Sequence, residues 1–186
     1  MAEIHKTTLS PSKLALVGPW LTGQPWYVGG GAPVLERAGG FRLDDPSGDV
    51  GIEFMVVADR ESEPVVFYQV PVTYRGSSLA GAEAALIGTS EHGVLGRRWM
   101  YDGVHDPVLL AQLTALIGGT VEAQAQSLSH TPDPFVIVLP SASAVTAPRV
   151  VRVLQPGGEA APGAGVVSGV WIAPDGTELR GTVAVG

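Results

Sequence analysis

GRRWMYDGVHDPVLLAQLTALIGG, residues 96–119, carries a strand, a turn, a helix start and a helix stop in one unbroken run. Val94 to Tyr101 mixes apolar and arginine positions and ends at the turn dipeptide Asp102-Gly103. Asp106 then stands where a helix N-cap belongs, with Pro107 at the first helical position, where a missing N–H costs nothing. Leu109, Leu113, Leu116 and Ile117 recur at helical spacing as one apolar stripe, and Gly118-Gly119 offers the left-handed residue that ends many helices. The stretch is therefore a strand–turn–helix hinge. Asp106 and Pro107 read as a structural cap rather than as catalytic groups, because the Asp-Pro-apolar pattern accounts for both.

Upstream of the hinge the chain reads mainly as strands. Phe41 to Leu43, Val50 to Val57 and Val65 to Tyr74 are apolar runs, and Asp44 to Asp49 between the first two is a turn, expected to be solvated. Glu53 stands embedded in the second run. In the third, Val66, Tyr68, Val70, Val72 and Tyr74 share one face, while Pro71 lacks a ladder donor and predicts an edge or a bulge. Residues 3–8 predict a short strand. Ser10-Pro11 predicts a helix start, with Leu14, Val17 and Leu21 at helical spacing and Gly18-Pro19 as an early stop. Leu79 to Ile87 is alanine-rich and predicts a short helix, broken by Gly88-Thr89-Ser90.

Downstream, Thr120 to Ser129, Phe135 to Leu139 and Arg149 to Leu154 predict further strands. Pro156 to Gly165 has six Gly or Pro in ten residues and predicts a flexible loop. Val166 to Ile172 and Thr177 to Val185 flank Ala173-Pro174-Asp175-Gly176, a hairpin signal. The fold class is α+β: a curved, largely antiparallel sheet with two or three short helices packed on it, residues 1–186 forming one domain.

Composition narrows the chemistry. The 186 residues include no cysteine, so no disulfide or thiolate metal site is available. The formal net charge is −7, and of 11 basic residues only Lys6 and Lys13 are lysines; no basic stripe suited to nucleic acid is present. No apolar run of about 18 residues predicts a membrane span, and the N-terminus does not read as a signal peptide, so the expected location is cytoplasmic. Neither lysine follows a glycine as a P-loop requires, no histidine is followed two residues later by Asp as in a kinase catalytic loop, and no serine sits in a G-x-S-x-G elbow. Asp102, His105 and Asp106 make a weak metal-ligand set, so neither metal nor cofactor is expected, and no catalytic residue is assigned. The candidate binding surface is Trp20, Trp26, Tyr27, Tyr101, Asp102 and His105: aromatic side chains that stack on a sugar ring or a partner, or pin the N-terminal segment to the core, beside polar groups.

Several boxes, taken in order and spacing, resemble one family. They are I-H-K-T-T-L-S-P from Ile4, Q-P-W-Y from Gln24, G-G-F-R-L-D-D-P-x-G-x-V-G-I-E-F from Gly39 and Y-D-G-V-H-D-P from Tyr101. Over residues 1–130 the chain resembles the N-terminal cap domain of actinobacterial maltokinases, and 131–186 resembles it less distinctly. The resemblance implies a cystatin-like cap architecture, a curved antiparallel sheet with a packed helix, here expected without kinase lobes. It also implies a non-catalytic interaction or regulatory module linked to α-glucan, maltose 1-phosphate or trehalose metabolism. The partners implied are a kinase or another enzyme of that metabolism, or a second copy of the chain. The alternative is a small carbohydrate-binding or sugar-acting protein.

Overall fold

A computed structural model describes residues 9–158 and 163–186; the strand expected over 3–8 lies outside them. The elements, in order, are β1 (Leu9–Ser10), α1 (Lys13–Leu21), β2 (Leu35–Leu43), β3 (Gly51–Asp59), β4 (Val66–Arg75), β5 (Leu86–His92), β6 (Gly96–Asp102), α2 (Pro107–Ile117), β7 (Ile137–Leu139), β8 (Arg149–Val150), β9 (Val153–Leu154), β10 (Val166–Ile172) and β11 (Glu178–Val185). All the named strands belong to one open antiparallel sheet in the order β1-β5-β6-β4-β3-β2-β10-β11-β8, with β7 on β10 and β9 on β4. The fold is α+β, with two α-helices packed on the sheet.

The helices lie on opposite faces, and the strand pattern says why. In β3, Ile52, Phe54, Val56 and Ala58 join the cluster that contains Leu109, Leu113, Leu116 and Ile117 of α2, while Met55 and Val57 join that of Val17 and Leu21 of α1. A strand covered on both faces reads as a continuous apolar run, and VGIEFMVV does. Each large apolar side chain so buried contributes roughly 1.5–3 kcal/mol.

α2 matches its sequence signals residue for residue. The Asp106 carboxylate accepts the Val108 N–H at 2.9 Å, Pro107 opens the helix, and Gly119 takes φ +70° just past its end. Helix α1 departs from expectation at both ends. Its cap is Ser12, which accepts from the Ala15 N–H, rather than Ser10. It also runs through Pro19 to Leu21 instead of stopping at Gly18. Ala15 and Pro19 lie on the exposed side, where water serves the carbonyl that the proline ring leaves without a donor, and burial of Leu21 holds the last turn.

Four other expectations are corrected. Pro71 is on no edge: β4 lies between β3 and β6. Gln69, two residues earlier, donates its N–H away from β3 to the Arg152 carbonyl at 2.8 Å. By strand alternation the Pro71 nitrogen faces the same way, between β9, which pairs at Phe67 and Tyr68, and β6, which pairs from Val72. Leu79 to Ile87 forms only a short 3₁₀ turn at Glu83–Ala85 before β5 begins, and Gly88-Thr89-Ser90 lies within that strand. The β6 ladder overrides helix propensity there, and Gly88 leaves room for Leu16, whose Cδ2 would lie 2.8 Å from a Cβ. Thr120 to Ser129 is not a strand but a crossing segment, tied to β2 where Arg42 and Gln124 exchange backbone bonds at 2.9 Å. Arg149 to Leu154 splits into β8 and β9, which pair with β11 and β4 respectively.

Candidate functional site

The C-terminal turn of α1 delivers Trp20, and backbone bonds from Gln24 N to Leu21 O and from Tyr27 N to Gln24 O, each 3.0 Å, fold the following residues back. Trp26 and Tyr27 are thereby laid over Tyr68 of β4, with ring centroids 6.0 and 5.6 Å away, and Trp20 meets Trp26 edge-on at 5.8 Å. All three are half-buried, packed against the α1-side core. Tyr27 donates to the Gly31 carbonyl at 2.7 Å; its hydroxyl pKa is raised by burial first and by the neighbouring Asp59 charge second.

Arg152 ties this aromatic group to the sheet. Its guanidinium lies 4.9 Å from the Trp26 ring centre, and one nitrogen reaches both carboxylate oxygens of Asp102, at 2.6 and 2.8 Å. Two further buried carboxylates are held as firmly. Glu53 accepts from Lys13 of α1, from Arg37 of β2 at 3.0 Å, from the Tyr74 hydroxyl at 2.9 Å and from Gln126 at 3.0 Å. Burial pushes the Glu53 carboxyl up, but the Lys13 charge and hydrogen bond, with Arg37 and Tyr74, outweigh it and leave it below its usual value. Asp106 receives both Nε and Nη2 of Arg75 at 2.7 Å. Burial raises its carboxyl as well, and the Arg75 bonds and the Val108 N–H bring it below the ordinary range. Asp45, expected in a solvated turn, is instead buried and accepts from the Ser47 hydroxyl and the Ser47, Asp49 and Val50 N–H groups.

The structure divides the six candidate residues. Trp20, Trp26, Tyr27 and Asp102 belong to one face and are connected through Tyr68 and Arg152. Tyr101 points to the other face, 2% exposed, where its hydroxyl accepts the Leu79 N–H at 2.9 Å. Asp102 is 4% exposed and spent on Arg152, so neither it nor Tyr101 presents a surface. His105 is exposed in the 3₁₀ turn before α2. Arg152, the link between the aromatic group and Asp102, was missed; nothing in its local sequence marks it. Glu53 inside an apolar strand was the one visible sign of a buried charge that needs partners.

Chemically, these carboxylates are engaged in holding elements together. Among the described residues no group of three or more His, Asp or Glu side chains is placed to hold a metal ion. Among them also, no helix is long and apolar enough to cross a membrane.

Residues 20–106 match the maltokinase N-terminal cap domain. The chain contains a maltokinase-cap-like module. No curated protein matches the chain. The cap-like match begins at Trp20 and ends at Asp106, shorter at both ends than the 1–130 resemblance, yet it spans all six candidate residues. Lys13, Gln126 and Arg152, three of the partners that satisfy its buried carboxylates, come from outside it.

Proposed function

We propose that this chain is a non-catalytic docking module, a cap-like domain that covers part of an enzyme of α-glucan, maltose 1-phosphate or trehalose metabolism in the cytoplasm. The observation that carries the reading is the cap-domain match, which includes the half-buried aromatic group. Close by in sequence stand Val28, 63% exposed, and Val34, 50% exposed, apolar side chains of the kind that contact surfaces use. The alternative, sugar stacking, is disfavoured by Arg152, which lies against the Trp26 ring that a sugar would need.

Light scattering on the protein mixed with a maltose-phosphorylating kinase that lacks its own cap tests this. A stoichiometric complex is expected, weakened at least tenfold by Trp26→Ala while the variant stays folded. Tryptophan fluorescence should stay unchanged on titration with maltose and maltooligosaccharides. A saturable fluorescence response to sugar, with no complex formed with kinase or pathway enzyme, would overturn the docking reading in favour of carbohydrate binding.

A further inference from the structure

The two helices cover only part of the sheet. Along β10, Val167 and Trp171 face the α2-side cluster, and Val138 of β7, paired with Val167, joins them there. By strand alternation Val166, Ser168, Val170 and Ile172 of β10 then point the other way, as do Ile137 and Leu139 of β7. Among the described residues, the cluster under α1 includes no side chain of β7 or β10. Neither helix packs on that second face.

What it presents is apolar. Ile137, Leu139 and Ile172 are 48%, 62% and 43% exposed, and Phe135, 53% exposed, shares a groove with Val170 and Ile172. These are four of the ten large apolar side chains that stand exposed among the described residues, gathered on one surface. They offer on the order of 400 Å², about half of the ~800 Å² that each side of a standard interface buries. Val166 and Val170, partly exposed, extend the patch. A bare patch of this size marks a contact surface.

Charge selects the occupant. The chain carries a net −7, so two copies repel over most of their surface. Residues 134–148, which include β7, hold no charged side chain. Along β11 the border of the patch carries both signs: Arg180 pairs with Val170 and Glu178 with Ile172, so both stand on the apolar face. Asp133, at the groove, accepts the Phe135 N–H at 2.9 Å. A two-fold axis sets a surface against its own copy, and a border of mixed sign can pair with itself where a border of one sign cannot. An apolar, charge-poor centre is also the composition that contacts between like subunits favour.

We propose that the face formed by β7 and β10 is the contact between two copies of this chain. The dimer is isologous, with Ile137, Leu139 and Ile172 at its centre and Glu178 and Arg180 at its border. The contact does not draw on the aromatic group, and the docking role is neither needed for it nor implied by it.

The test is sedimentation equilibrium of the full chain across the micromolar range. A monomer–dimer equilibrium is expected, reaching twice the mass of the chain at the top of the range. Leu139→Glu should raise the dimer dissociation constant roughly tenfold or more, because it places an unpaired charge at the centre of the contact. Trp26→Ala should leave that constant unchanged. The Leu139 side chain is exposed, so the variant should keep the thermal transition of the parent; Ile137→Lys takes its place if it does not. A monomer at every concentration, or a dimer that survives Leu139→Glu and Ile137→Lys, overturns the proposal. A dimer lost to Trp26→Ala alone also overturns it and moves the contact to the aromatic group. A monomer whose complex with the kinase is lost to Leu139→Glu overturns it too, and gives the face to the enzyme.

Discussion

Asp106 shows how much one residue can carry. It caps α2 and also accepts two bonds from Arg75, while wholly buried itself. Loss of a cap costs about 0.5–2 kcal/mol, and removal of one partner of a buried pair about 3–5 kcal/mol. Because Arg75 keeps partial access to solvent, Asp106→Ala should cost about 3 kcal/mol in urea unfolding, toward the lower end of the second range. Asp106→Asn keeps a capping oxygen and should cost less; equal losses would show that the cap adds nothing. The carboxyl is lowered in the folded state, so its contribution is present above the unfolded value and lost as pH falls through the folded one. Glu53 and Asp45 are lowered as well and act with the same sign. The protein should therefore lose stability progressively below about pH 4, and Asp106→Asn should flatten that limb of the curve. Stability that does not change from neutral pH to pH 2 would contradict the assignment.

At the scale of the element, the two helices are held by different means. α2 has a cap, a proline start, an apolar stripe and a glycine stop that all agree. α1 has a weak cap and holds both Gly18 and Pro19, so it is helical because Val17 and Leu21 are buried under it. A Cβ on Gly18 would meet nothing within 4 Å. Pro19 follows directly, and its ring disfavours helical backbone for a preceding residue that carries a Cβ, so Gly18→Ala should gain less than the about 0.5–1 kcal/mol of an ordinary helix position, read as a denaturation midpoint that rises little at unchanged slope. A lower midpoint would mean that the position is constrained by something other than helix propensity. In the sheet, VGIEFMVV announced a strand buried on both faces, whereas β5 (Leu86–His92) was concealed, because the Gly88-Thr89-Ser90 breaker signal within it reports neither the β6 ladder nor the approach of Leu16.

For the molecule as a whole, the cap-like match stops at Asp106, immediately before α2. Phe54 and Val56 of β3 pack in the cluster that α2 and Val167 and Trp171 of β10 complete. A fragment of residues 20–106 would keep β2 to β6 but expose that face of the sheet. It should lack a cooperative thermal transition and bind a hydrophobic dye, unlike the full chain. A sharp transition in the fragment would show that the matched region is self-sufficient.

The sequence alone determined the parts whose signals are local: helix α2 with its Asp106 cap, the β10–β11 hairpin, the meander of β2, β3 and β4, and the resemblance of the matched segment to the maltokinase cap. Turn chemistry, caps and apolar period act over a few residues, so they can be read without knowing what lies opposite. Tertiary structure decided the rest. It placed the helices on opposite faces, put Pro71 inside the sheet, divided Tyr101 from Trp26, and brought Arg152 to Asp102 and Lys13 to Glu53 across 50 and 40 residues. A buried charge is tolerated only where another segment supplies its partner, and the choice of that segment belongs to the fold.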